Sequence, residues 1–230
     1  MDNPRLLIIE TSGRRGLVAV ALGGAVREAR RLDEARRNAV ARDLAPAVAE
    51  LLRGQGWKAT DLDAVLVSVG PGSYTGLRVG ITSAKALAYA TRCGLIGVPT
   101  FAALARQAPP ECDRLDVIGD AQQDKVYAQS FARQGESWRP AGELGIRPFG
   151  EWLAGRDPRA WVTGPGLAKW RDKLPADVAC APQQSWEPSA ESMLAVGLAR
   201  YEAGERDDPF ALEPLYLRAS AAEEQWRGRG

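Results

Sequence analysis

The 230-residue sequence contains no histidine. That single zero removes His-based nucleophilic triads, His general bases and the His-Glu-x-x-His metal motif. Hydrolysis by a Ser/His mechanism is closed to this chain. Cysteine is scarce: Cys93, Cys112 and Cys180 are widely separated and odd in number. This argues against a disulfide framework and a zinc site, and it suits a reducing, cytoplasmic setting. An excess of one charge is missing too, since 30 basic residues face 29 acidic ones and leave +1. A stand-alone nucleic-acid binder usually carries a basic excess or a basic stripe. The densest basic run, Arg27, Arg30, Arg31, Arg36 and Arg37, is interrupted by Glu28, Asp33 and Glu34 and reads as a solvated face. No apolar stretch reaches transmembrane length. Met1-Asp2-Asn3-Pro4-Arg5 leads straight into a short strand and shows no signal-peptide pattern.

What remains is the composition of an ordinary globular protein, 45% hydrophobic and 26% charged, with length for one large domain or two small ones. Leu6-Leu7-Ile8-Ile9 reads as a central strand, closed by Glu10-Thr11-Ser12-Gly13. Residues 16–22 and 25–32 read as two further strands joined by the hairpin signal Gly23-Gly24. Between residues 39 and 53, Val40, Leu44, Ala47, Val48, Leu51 and Leu52 recur at helical spacing. Residues 64–69 read as a buried strand and residues 77–91 as a helix. Residues 95–98 read as a short strand, and 101–107 as another helix.

Between the buried strand and the long helix stands Gly70-Pro71-Gly72-Ser73-Tyr74-Thr75-Gly76-Leu77-Arg78-Val79-Gly80. Gly70, Pro71 and Gly72 make the turn, and Ser73 or Thr75 can cap the helix. A strand, a glycine-rich turn and a helix N-terminus make an anion cradle. The stretch is neither a P-loop, because Leu77 follows Gly76 where Lys is needed, nor a Rossmann fingerprint, nor a nucleophile elbow. Gly76, Gly80, Ala84 and Ala88 recur every four residues and leave one helix face nearly bare. Such a face packs closely on a neighbour, which is either the chain's own sheet or another subunit.

The second half opens similarly. Residues 115–118 form a short strand ending at Gly119-Asp120, and Val126 to Phe131 a second one. The unit of strand, acid, turn and strand thus occurs at Glu10 and again at Asp120, which suggests two lobes of related topology. Glu10 and Asp120 together are candidates for holding Mg²⁺ between lobes; the plainer alternative is two solvent-facing or capping acids. Residues 148–153 and 188–203 read as helices, with Met193, Val196, Leu198 and Tyr201 on the apolar side of the latter. Trp161-Val162-Thr163 with Gly164-Pro165-Gly166 reads as a strand and turn, and Pro214-Leu215-Tyr216-Leu217-Arg218 as a short apolar segment.

The glycine-rich stretch closely resembles the signature of the TsaB (YeaZ) family. Leu7-Ile8-Ile9-Glu10-Thr11-Ser12 resembles that family's first strand. Asp120-Ala121 with Val126-Tyr127 resembles its second-lobe segment, and Pro214-Leu215-Tyr216-Leu217-Arg218 its C-terminal motif. The resemblance implies an α/β protein of the actin-like ATPase/sugar-kinase (ASKHA) fold with two RNase H-like lobes, here 1–108 and 109–218, followed by a flexible tail, 219–230. It implies a cytoplasmic, non-catalytic partner of TsaD in the threonylcarbamoyl modification of adenosine 37 of tRNAs reading ANN codons. TsaD carries the metal-binding histidines and the transfer chemistry, the ATPase TsaE joins the pair, and tRNA is held mainly by the complex. A chain without histidine cannot build TsaD's metal site.

On this reading Gly76, Leu77, Gly80, Ile81, Ala84 and Ala88, with Val40 and Leu44, form the partner interface, and a homodimer through the same surface is its counterpart when TsaD is absent. Glu10, Thr11, Ser12, Gly72, Ser73 and Asp120 are the candidate phosphate or nucleotide contacts. The chain itself requires no cofactor or metal, and ATP or ADP is expected, if anywhere, at the partner interface. Two departures stand out. Glu10 replaces the family's usual Asp, and Arg37-Asn38-Ala39-Val40-Ala41-Arg42 lacks the His-Ser pair common at the first helix. The rival expectation is an active Mg-ATP-dependent kinase or ATPase using Glu10 and Asp120.

Overall fold

The computed structural model describes residues 3–13, 15–32 and 39–217. The first sheet is built from β1 (Arg5–Glu10), β2 (Leu17–Leu22), β3 (Ala25–Arg31), β4 (Ala64–Gly70) and β5 (Gly94–Pro99), in the order β3-β2-β1-β4-β5. β1 runs antiparallel to β2 and parallel to β4, which places Ile8 between Ala19 and Leu66. Alternation decides the layers. Leu7, Ile9, Val65 and Val67 face α1 (Ala39–Gly54) and α2 (Tyr74–Thr91), whereas Leu6, Ile8 and Leu66 face the opposite side. Covered on both faces, β4 is buried along its whole length and reads as an unbroken apolar run. α1 directs Leu44, Ala47, Leu51 and Leu52 inward and holds Pro46 on its exposed side, where the missing N–H costs one helical bond. Leu32, expected as the end of β3, lies one residue beyond it and donates its N–H to the Gly16 carbonyl.

The second sheet is made of β6 (Arg114–Asp120), β7 (Lys125–Gln134), β8 (Ser137–Pro140), β9 (Gly145–Pro148) and β10 (Trp161–Thr163), ordered β10-β6-β7-β8 with β9 also on β7. Once more an antiparallel pair, β6 and β7, is joined by a parallel neighbour, β10. The two sheets are the two RNase H-like lobes of the actin-like fold. α4 (Phe149–Gly155) and α5 (Leu167–Trp170) cover one face of the second sheet. α3 (Thr100–Ala105) lies between the sheets, with Ala103 against the first and Phe101, Leu104 and Ala105 against the second. The short strands β8 and β9 and the single-turn α5 have no counterpart among the sequence expectations, because four residues carry too little periodicity to register.

One boundary is corrected. Residues 109–218 do not form a self-contained second lobe. α6 (Ala190–Glu202) returns to the first sheet, where Ala190, Met193 and Leu194 pack on Leu6, Ile8 and Ile96. Gly197 allows that approach, since a Cβ there would come within 2.5 Å of Leu66. Residues 205–217 follow α6 along the same lobe. The expected tail 219–230, and Asp33, Glu34, Arg36, Arg37, Asn38 and Arg218, lie outside the described residues.

Candidate functional site

The end of β1 and the glycine-rich turn meet directly. Gly70 takes φ +106°, a conformation that side chains rarely adopt, and redirects the chain at the end of β4. Ser73 then caps α2: its hydroxyl accepts the Gly76 N–H at 3.2 Å, and its own N–H donates to the Ser12 carbonyl at 2.7 Å. A Cβ on Gly72 would lie 2.3 Å from the Ser12 oxygen, and one on Gly76 2.1 Å from the Thr11 oxygen. One on Gly80 would lie 2.1 Å from the Thr11 hydroxyl. The glycines therefore seat α2 on the chain's own first strand.

This corrects the expected interface. Gly76, Leu77, Gly80, Ile81, Ala84 and Ala88 are buried inside this chain, Leu44 is buried with them, and Val40 is half-buried against the same cluster. The physical reason is close packing: β1 occupies the space that the bare face leaves open. Substituting Gly80 would test folding of the lobe before it tested any partner. The surface that α1 and α2 do present is the opposite one, with Ala41, Ala45 and Ala49 on α1 and Thr75, Arg78, Thr82, Ala86 and Ala90 on α2.

The candidate phosphate contacts divide into two groups. Glu10, Thr11 and Ser12 are buried, whereas Gly72, Ser73 and Asp120 are exposed. The Glu10 carboxylate accepts the Ser12 N–H at 2.7 Å and also the Ser12 hydroxyl. Burial pushes its pKa above the usual carboxylate value, and the nearby Glu187 pushes in the same direction. The Thr11 N–H donates to the Ser68 hydroxyl at 3.1 Å, while the Thr11 hydroxyl is buried without a hydrogen-bond partner. An acid that is sealed in, bonded to its own neighbours and biased toward the neutral form does not fit a cation or phosphate ligand. Asp120 has a different setting. It accepts the Gln122 N–H at 2.9 Å and pairs with Lys169 at 3.1 Å on the surface. Beyond it, Gln122, Gln123 and Asp124 all take positive φ. Among the described residues, no three Cys, Asp or Glu side chains gather closely enough to hold a metal ion.

Sequence reasoning missed two relations between segments that it had named. Gly164-Pro165-Gly166 after β10 repeats Gly70-Pro71-Gly72 after β4, with φ +107° at Gly164 against +106° at Gly70. The matching tripeptides were the available signal. The second is a cluster at the start of α2, where Tyr74 stacks on Tyr216 with centroids 5.0 Å apart, and Arg78 donates to the Tyr216 hydroxyl at 3.1 Å. Among the described residues, no helix is long and apolar enough to cross a membrane.

Comparison with known proteins places this geometry in context. The family described as "TsaD: tRNA N6-adenosine threonylcarbamoyltransferase" matches residues 33–226. The tRNA threonylcarbamoyladenosine biosynthesis protein TsaB of Escherichia coli (strain K12) is 29% identical over 199 residues, 80% of this chain and 83% of that protein. An uncharacterized protein of Mycobacterium tuberculosis (strain H37Rv) is 35% identical over 182 residues, 76% of this chain and 73% of that one. The solved structure of YeaZ from Pseudomonas aeruginosa superposes with a TM-score of 0.79 at 26% identity, over 93% of this chain and 100% of that chain.

Proposed function

The chain belongs to the TsaB (YeaZ) family, within the wider TsaD-type grouping that its residues 33–226 match, and from that membership we propose that it is a non-catalytic subunit in tRNA threonylcarbamoyladenosine biosynthesis. In finer detail, it binds and activates a TsaD-type transferase that modifies adenosine 37 of tRNAs reading ANN codons, with a TsaE-type ATPase joining the pair. The observation that carries the non-catalytic part is the sealing of Glu10. The acid that would have to hold a metal or steer a phosphate is buried and hydrogen-bonded to Ser12. No nucleotide step is therefore assigned to the ends of this chain's own strands. With no histidine in the chain, a histidine metal site has to come from the partner.

The partner surface is assigned to the exposed faces of α1 and α2. Their small side chains (Ala41, Ala45 and Ala49 beside Thr82, Ala86 and Ala90) permit close helix-to-helix approach. A homodimer through the same face, replaced when the partner binds, is the corresponding expectation. The test is reconstitution of the tRNA modification from purified components, with and without this chain, using wild type and Ala86→Arg. Omission of the chain should abolish modification. Ala86→Arg should lose the partner on co-purification while melting like wild type. ATP turnover by the purified chain alone, abolished by Asp120→Ala, would instead establish an active kinase or ATPase.

A further inference from the structure

The first sheet has two edges, and the chain treats them differently. β3 is exposed along nearly its whole length and carries Arg27, Glu28, Arg30 and Arg31, the charged kind of edge that discourages pairing with another chain. β5 carries no charge at all, yet Leu95, Ile96, Gly97 and Val98 are buried. The cover is residues 205–217. Leu95 and Gly97 are two apart, so their peptide groups point to the same, outer side of β5. Three of these outward groups meet a partner. The Asp207 N–H donates to the Leu95 carbonyl at 2.7 Å, the Asp207 carboxylate accepts the Gly97 N–H at 2.6 Å, and the Arg200 guanidinium donates to the Gly97 carbonyl. Arg200 also contacts the Asp207 carboxylate, at 3.3 Å.

The seat for this segment is cut into β5 itself. A Cβ on Gly94 would meet Arg206 at 2.6 Å, and one on Gly97 would meet Val69 of β4 at 2.6 Å and Leu212 at 3.1 Å. Beyond Asp207 the segment is tied down three more times. Lys85 donates to the Leu212 carbonyl at 3.2 Å, the Leu215 N–H donates to the Val69 carbonyl at 2.8 Å, and Tyr216 is held by Tyr74 and Arg78.

We propose that residues 205–217, together with Arg200 of α6, are a built-in edge guard, in which Arg200 and Asp207 supply the donors and acceptor of an absent sixth strand and keep β5 from pairing with a second copy of this chain. This assignment is independent of the partner surface on α1 and α2.

The test is hydrogen exchange and light scattering on the full chain, comparing wild type, Asp207→Ala and Asp207→Asn. In Asp207→Ala the Gly97 amide of β5 should exchange at least about tenfold faster, the change expected on losing a hydrogen bond to a charged acceptor. β6 and β7 should keep wild-type protection. A species larger than any wild-type form should appear, and its share should grow with protein concentration. Wild-type exchange at β5, or faster exchange with no change in association, overturns the proposal. Should Asp207→Ala lose protection everywhere, Asp207→Asn decides: it keeps an acceptor without the charge. Faster exchange confined to β5, with concentration-dependent association, supports the guard; wild-type behaviour in both measurements overturns it.

Discussion

In the first lobe the two helices on the outer face run 16 and 18 residues; in the second, α4 and α5 run 7 and 4. The strand frames are nonetheless the same. β6 and β7 pair as β1 and β2 do, β10 lies where β4 lies, and the fifth strand shrinks to a single bridge between Val162 and Cys180. Both lobes turn through Gly-Pro-Gly after the parallel strand. After the first turn, Gly76, Gly80, Ala84 and Ala88 let a long helix lie on β1. After the second come Leu167 and Trp170, large residues that fill the space over the sheet, and Trp170 stacks on Phe149 at 4.2 Å. Pro175 then disfavours helix at Leu174, which takes an extended conformation. One strand frame thus tolerates very different helical cover, and the residues after the glycine turn decide which.

The comparison can be broken at three places. The largest effect is expected at Asp116, where the lightly covered second lobe uses a buried ion pair. Asp116 accepts the Ser130 hydroxyl at 2.6 Å and faces Arg156 at 3.6 Å, with side chains 3% and 6% exposed. Asp116→Ala leaves a buried guanidinium without its partner and should cost about 3–5 kcal/mol in denaturant unfolding. The next contrast sets one glycine against another. Gly76→Ala drives a methyl onto the Thr11 backbone and should cost about 3 kcal/mol, whereas Gly166→Ala, whose Cβ would stay 3.0 Å from Ile118, should cost about 1–2 kcal/mol. Equal losses would show that the seat of α2 on Thr11 and the turn before α5 carry the same load.

The smallest effect concerns the two strand-end acids. Burial raises the pKa of Glu10, so the folded state holds a proton that the unfolded chain releases at lower pH. The contribution of Glu10 to stability is therefore fullest below the ordinary glutamate pKa and is lost as pH rises through the raised one. Glu10→Gln should remove that part of the slope in a pH series of melting curves and should be the more stable form at neutral pH. Asp120→Asn, at an exposed pair with Lys169, should change stability by no more than about 0.5 kcal/mol.

Legibility followed the range of the forces involved. β1, β4 and α1 announce themselves because Leu6–Ile9, Ala64–Val69 and the Val40-to-Leu52 spacing are local patterns. The repeated strand and acid at Glu10 and Asp120 was visible for the same reason. The burial of Glu10 was not, because Ser68 and Glu187, which lie beside it, are some sixty and nearly a hundred and eighty residues on in the sequence. β8, β9 and α5 are too short to carry a period. The return of Met193 and Leu194 to the first sheet, and of Asp207 to β5, are contacts made across about a hundred to nearly two hundred residues. No local signal encodes them.

By itself the sequence determined that this chain has no histidine chemistry, that a glycine-rich turn launches its longest helix, and that two related strand units carry an acid each. Tertiary structure alone decided which way that helix faces. α2 has small residues on both sides, Gly76, Gly80, Ala84 and Ala88 on one and Thr75, Thr82, Ala86 and Ala90 on the other. Either could lie against a neighbour at short range. The choice fell to the side without Cβ atoms at residues 76 and 80, because only there can the Thr11 backbone and hydroxyl come close enough to close the core. The other side was left facing outward.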